Sequence, residues 1–317
     1  MNFAYRNTAT RARALACTLL LAAFGPALAQ EATTCPKCAA WNQPQAPFNI
    51  YGNTWYVGTR ELSALLITSA NGHILLDGAL PQSAAQIARN IVSLGFRIED
   101  VKLIANSHAH ADHAGGIAAL QRASGAQVLA SASGAQVLKA GTPGRDDPQY
   151  SPGGSSPIPV PAAVRTVADG ETVSTGLLAI TAHLTPGHTP GGTTWSWKSC
   201  EGKRCLDVVY VDSLNPVSSE GFHFTGDSAR ADLTRAFRAS IAKVAALPCD
   251  VVVSVHPDFT GTLEKAGKRS AARNAFIDPA GCRTYAKDAG KRLDKRVARE
   301  ALEALDAARA AKRSDPS

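Results

Sequence analysis

Apolar positions recur along the chain in two rhythms. From Phe48 onward they form short β-rich runs at 48–51, 54–57, 63–67 and 73–77, and the turn pairs Gly52-Asn53 and Asn71-Gly72 fall between them. Alternation bounded by such turns predicts a meander of strands. Between 82 and 94 the spacing lengthens. Ile87, Ile91 and Leu94 share one face and Gly95 follows, the pattern of an amphipathic helix with its stop signal. Residues 101–105 then read as a buried strand and 117–122 as a helix. The second half repeats this logic, with strands at 164–168, 177–182, 193–198 and 207–211, a helix at 232–247 and a hydrophobic strand at 250–255. An Ala/Lys/Arg/Glu-rich stretch, 263–312, reads as mostly helix. Strands then helix, twice over, predict an α/β fold of two packed sheets with helices outside, a four-layer αββα sandwich.

The ends and one internal stretch follow different rules. Arg6, Arg11 and Arg13 precede a short apolar run, and Ala27-Leu28-Ala29 offers a small-residue cleavage site. Residues 1–29 therefore read as a secretory signal, the run being too short to span a bilayer. Residues 30–47, rich in Pro, Gln and Ala, read as an irregular arm, and 48–317 as the folded domain. Residues 141–161 carry four glycines and six prolines. A loop of that length inside a compact domain is often functional, although a plain connector has the same composition. The hexapeptide Ser-Gly-Ala-Gln-Val-Leu occurs at 124–129 and again at 133–138, too short and too few copies for a repeat fold.

Charge narrows the partners. Without residues 1–29, Lys+Arg falls from 33 to 30 against 26 acids, leaving a net charge of about +4. No basic run with interleaved aromatics is present, so no nucleic-acid partner is expected. A monomer with no membrane attachment after processing, acting on a small molecule in the periplasm, is the expectation. Cys17 leaves with the signal. The remaining six cysteines, an even number in an exported chain, suggest disulfides. Cys200 and Cys205 flank a turn, and Cys249–Cys282 would tie a helix end to the C-terminal region. Cys35 and Cys38 read as a short disulfide, with half of a thiolate metal site or a redox pair as the alternatives.

The chemistry concentrates at His108-Ala-His110-Ala-Asp112-His113, with His188 and His256 downstream. Each lies at the end of a strand or in a turn-rich loop, where functional groups commonly sit. Imidazole and carboxylate suit zinc, and the six side chains divide into two triads. Three protein ligands with an open position mark a catalytic zinc rather than a structural one. Gly115 and Gly116 would let the loop turn closely into the next helix. Asp77, closing the run at 73–77, reads either as an orienting group behind the ligands or as a turn cap. His73, His183 and His223 are not expected to be ligands.

This pattern resembles the metallo-β-lactamase superfamily, and, over nearly all of the chain beyond residue 29, its subclass B3. The resemblance implies two zinc ions, the first held by His108, His110 and His188 and the second by Asp112, His113 and His256, with Asp112 and His110 central to catalysis. It implies hydrolysis of the β-lactam amide bond of penicillins, cephalosporins and carbapenems by a zinc-bound hydroxide, and hence antibiotic resistance. Other subclasses use a cysteine ligand near 210–215, where this chain has Ser213. Ser213 and Asn215 would then hold the substrate carboxylate, Cys249–Cys282 would match the long disulfide of the subclass, and residues 41–48 its overhanging arm. A thioester or ester hydrolase of glyoxalase or lactonase type is the alternative, because such enzymes place an aspartate between the metals and Asp212 is available for that role. Zinc storage without catalysis is a weaker alternative, since it would fill all four positions with protein ligands.

Overall fold

The structure, a computed structural model, describes residues 32–314 except 155 and 271. The segment read as a secretory signal lies outside the described residues. Among the described residues twelve strands form two sheets. The first runs β1 (Phe48–Tyr51), β2 (Thr54–Tyr56), β3 (Leu65–Ile67), β4 (His73–Leu76), β5 (Val101–Ala105), β6 (Gln127–Ser131) and β7 (Val164–Val167), in chain order across the sheet. Its first half is an antiparallel meander, whereas β4 to β7 are parallel. The second sheet contains β8 (Thr172–Thr175), β9 (Leu178–Leu184), β10 (Thr193–Glu201), β11 (Arg204–Val211) and β12 (Val251–Ser254), ordered β12-β11-β10-β9-β8. β11 and β12 are parallel, and the helix α6 (Thr234–Ala246) crosses between them.

Alternation of side chains explains the layering. In β3 and β4, Leu65, Ile67, Ile74 and Leu76 point between the sheets, while Leu66 and Leu75 point to the outer helices. In β11, Val208 and Tyr210 face inward and Val209 and Val211 outward. Strands buried on both faces read as continuous apolar runs, the signature of sheets covered by helices. On the outside of the first sheet lie α2 (Ala84–Ser93), α4 (Ile117–Ser124) and α5 (Ala132–Ala140); on the outside of the second lie α6 and α8 (Gly281–Ser314). Two one-turn helices, α1 (Cys38–Trp41) and α3 (Ala111–Ala114), and a short α7 (Thr262–Gly267) complete the set. The architecture is the four-layer αββα sandwich.

Three local features refine the sequence reading. Residues 30–47 were expected to be irregular, yet α1 stands within them, its turn pinned by the backbone bonds Cys38 N–H to Cys35 O and Trp41 N–H to Lys37 O. The stretch 263–312 is mostly helix, as expected, but in two pieces, α7 (Thr262–Gly267) and α8. It breaks after Gly267 because Phe276 is drawn into the inter-sheet core and Asn274 bonds the Ile50 carbonyl, and Pro279 then stands just before α8. Finally, the two copies of the hexapeptide adopt different structures: Gln127–Leu129 belongs to β6 and Ser133–Leu138 to α5. Among the described residues no helix is long and apolar enough to cross a membrane.

Candidate metal centre

The loop after β5 carries the cluster, and buried bonds hold it from both sides. Asp77 sits at the end of β4 with φ +60°, a backbone conformation that non-glycine residues seldom adopt. Its carboxylate accepts from Asn106 Nδ2 (3.0 Å), Ser107 N–H (2.7 Å), Ser107 Oγ (2.6 Å) and Tyr210 OH (2.9 Å). Burial nevertheless raises its pKa. Asp77 thus locks the backbone leading into His108 and is not a simple turn cap. From the second sheet, Thr193 N–H bonds the Ser107 carbonyl and Trp195 Nε1 the Asn106 carbonyl. Gly116 then allows the chain to pass the first sheet, since a Cβ there would lie 2.2 Å from the Gly78 carbonyl oxygen.

His108, His110 and His188 converge, their ring centroids 4.8–5.1 Å apart and their ligand atoms within 4.8 Å of one another. Beside them, Asp112 Oδ2 lies 3.2 Å from His113 Nε2 and 3.4 Å from His256 Nε2, and the last two nitrogens are 3.2 Å apart. His108 also falls within 4.8 Å of the Asp112 and His113 ligand atoms, so the two groups adjoin. His256 follows β12 and His188 follows β9. Two elements of the second sheet and one of the first therefore feed a single centre. His73, His183 and His223 lie elsewhere, bonding or pairing with Ser69, Ser196 and Glu303.

Each imidazole of the first group is fixed from behind. His108 Nδ1 pairs with Asp212 Oδ1 at 2.7 Å, His110 Nε2 with Asp147 Oδ2 at 3.0 Å, and His188 Nδ1 donates to the Asn215 carbonyl at 2.8 Å. Such outer partners set the tautomer and aim the other nitrogen at a metal. Burial and the neighbouring imidazoles hold His108 well below its ordinary pKa and bring His188 down to about 3. Burial would lower His110 too, but the Asp147 carboxylate overrides it and raises the ring. Asp112 is held well below the carboxylate range, His113 and His256 outweighing its burial.

The donor set fits a divalent cation. His108 Nε2 is buried without a hydrogen-bond partner, and it lies within 4.8 Å of the ligand nitrogens of His110 and His188. Gln149 Nε2 reaches these nitrogens too, 3.3 Å from His110 Nδ1 and 3.2 Å from His188 Nε2, as an amide donor meeting two lone pairs. Unprotonated nitrogens crowded together in a buried site are the ligands a metal requires. The chain thus carries a His/Asp metal-binding site, and it opens onto a cleft of about 1000 Å³ that Trp41, Ser213, Asn215 and Gln149 help to line.

Asp212 and Ser213 divide the roles that sequence left open. β11 ends at Val211, so strict alternation no longer applies beyond it. Asp212 lies behind His108, away from the space between the two groups, and burial holds its carboxyl well above the usual range. A Cβ at Gly192 would lie 2.4 Å from its Oδ2, so the fit leaves no room for a larger residue there. Ser213 lines the cleft instead. Tyr285 of α8 pins both, donating to the Asp212 carbonyl and accepting from Leu214 N–H. Near it, Cys282 stands 2.07 Å from Cys249 in sulfur–sulfur distance; Cys200–Cys205 and Cys35–Cys38 stand at 2.00 and 2.18 Å. Asp147, Gln149 and Tyr285 were missed by the sequence reading. Only the composition of 141–161 hinted at the first two, and nothing local marks the third.

Fold and site together define a metal-dependent hydrolase scaffold, and comparison with known proteins makes it specific. The family model of the metallo-β-lactamase superfamily matches residues 57–200. The solved structure of MEM-A1, a subclass B3 metallo-β-lactamase from a soil metagenome library, is 50% identical, with 83% of this chain and 99% of that chain covered at a TM-score of 0.80. The Rm3 metallo-β-lactamase is 48% identical, covering 84% and 99% at a TM-score of 0.81. A hydroxyacylglutathione hydrolase of Anaeromyxobacter dehalogenans is 28% identical over 224 residues, 68% of this chain and 71% of that protein. The chain belongs to the metallo-β-lactamase superfamily and, within it, to subclass B3.

Proposed function

We propose that this protein hydrolyses the amide bond of β-lactam antibiotics, with two zinc ions held by His108, His110 and His188 and by Asp112, His113 and His256. When bound, zinc supplies Lewis acidity and a water whose pKa is lowered toward about 7. The protein's own residues do the rest. Asp112, kept ionised by its two histidine neighbours, would turn Oδ2 to the metal with His113 and His256, accept the water proton at the remaining Oδ1 and deliver it to the departing ring nitrogen. The carbon–oxygen bond forms, the carbon–nitrogen bond breaks, and no covalent acyl-enzyme intervenes. Ser213 and the side chain of Asn215 face the substrate carboxylate, and Trp41, 5.8 Å from the His256 ring between centroids, covers the outer side. A cleft of about 1000 Å³ suits a drug-sized ligand.

The observation that carries this reading is the position of Asp212. An aspartate lying between the metals would favour thioester or ester hydrolysis, whereas here it backs His108 at 2.7 Å and leaves Ser213 to the cleft. The three cysteine pairs at bonding distance support an oxidising compartment, and with residues 1–29 they support export to the periplasm. Zinc-loaded protein should turn over a chromogenic cephalosporin and a carbapenem in the steady state. Turnover of S-lactoylglutathione or lactones without any β-lactam would overturn the proposal.

A further inference from the structure

Loop 141–161 reaches the metal centre through the buried carboxylate of Asp147, behind His110, and through the Gln149 amide at the inward edges of His110 and His188. Asp147 is 3% exposed and lies outside every helix and strand. Its two oxygens stand 3.2 and 3.0 Å from His110 Nε2. The same Oδ1 accepts the Gln149 N–H at 2.8 Å. Around it the loop folds back on itself, with Asp147 N–H bonded to the Gly144 carbonyl and Tyr150 N–H to the Asp147 carbonyl. His108 and His188 differ in this respect, because their partners, Asp212 and the Asn215 carbonyl, follow β11 within the segment that Tyr285 pins. His110 alone among the first three ligands is aimed by a residue of the long loop.

We propose that Asp147 is the positioning residue for His110, and that it makes the order of loop 141–161 and the affinity of the first metal site one linked equilibrium. The carboxylate holds the imidazole proton on Nε2, so that the Nδ1 lone pair faces the metal; the Gln149 amide 3.3 Å from Nδ1 marks that edge as an acceptor. Linkage is reciprocal: whatever orders the loop strengthens the first site, and metal in the first site orders the loop by the same factor. Because this loop borders the cleft, its order also bears on how substrate is received.

The proposal rests on the reading of His108, His110 and His188 as one metal site, and the test separates the two. Full-length processed protein is titrated with Co²⁺, followed by its ligand-field spectrum, and with Zn²⁺ against a chromogenic chelator. Tryptic cleavage after the exposed Arg145 reports loop order. Asp147→Ala should weaken the first site by about 10- to 100-fold while the second is unchanged. Metal should protect Arg145 in the wild type and fail to do so in this variant. Asp147→Asn keeps an acceptor but loses the charge, and should fall between the two; it carries the test alone if the alanine variant does not fold. Wild-type affinity in either variant, or an equal loss at both sites, overturns the role of Asp147. A wild type that binds no metal at these histidines overturns the functional reading itself.

Discussion

The two halves of the metal centre are built to different standards. His108, His110 and His188 are buried, and each has its outer nitrogen engaged, two of them by buried carboxylates. Asp112, His113 and His256 are held more loosely. His113 Nδ1 has no hydrogen-bond partner, the nearest Asp77 oxygen being 3.9 Å away, and His256 Nδ1 reaches only the Glu61 carbonyl at 3.3 Å. Its side chain is also 19% exposed. Outer partners raise the basicity of a ligand and fix its direction, so the first half should bind metal with less reorganisation than the second. The loose half also carries Asp112, the proposed proton acceptor. On the proposed reading, outer support is concentrated behind the three histidines of the first half and is sparser around the half that carries the proton acceptor.

Removing a ligand from the rigid half tests the contrast most severely. His110→Ala should lower kcat/KM by roughly 10³-fold or more with the circular dichroism spectrum unchanged; retained activity would remove the first-site assignment. Stepwise chelation should come next in size, one metal equivalent leaving about 10- to 100-fold more readily than the other. Assignment of the tighter equivalent by the Co²⁺ spectrum of His108→Ala and His256→Ala should place it in the first half, and equal affinities would erase the contrast. Tyr285→Phe leaves the Asp212 carbonyl and the Leu214 N–H without their partner, and should cost about 1–3 kcal/mol in denaturant unfolding. It should also weaken the first half more than the second. Equal weakening would mean that the segment after β11 does not discriminate between them.

A control outside both halves should have the smallest effect on metal binding. Glu300, buried on α8, accepts from Phe224 N–H, Thr225 N–H and Thr225 Oγ1 at 2.9 Å each. Burial would raise its pKa, but these bonds and Arg296 leave it below the ordinary value. A depressed carboxylate contributes stability that is full above the unfolded value and fades as pH falls through the folded one. Glu300→Gln should therefore flatten the acid limb of stability against pH, measured by thermal unfolding, while both metal affinities stay at wild type. A change in either affinity would show that the two halves are not insulated from the C-terminal helix.

Periodicity was enough to read the layers because sheets covered on both faces need long apolar runs, and these run through 73–77, 101–105 and 250–255. The six candidate ligands were legible for a similar reason: ligand chemistry needs residue types that packing does not. The partners behind the ligands were not legible. Asp147 is 37 residues from His110 and Asp212 is 104 from His108. Neither separation is set by a local rule, since the distance closes only when the loop or the second sheet docks.

The repeated hexapeptide states the limit most directly. At its first copy Gly125 takes φ +72° and ends α4, and Leu129 enters the inter-sheet core. At its second, Ser131 caps the helix by accepting from Gly134 N–H, and Leu138 packs beneath the outer helices. Identical residues thus became strand and helix because their flanks and their cores differ. By itself the sequence determined which layers would form, which side chains could bind metal and which family the pattern resembles, because these depend on periodicity and residue type. The tertiary structure alone decided which face Asp212 presents, which carboxylate aims each histidine and how firmly each half is held, because those depend on contacts between segments far apart in the chain.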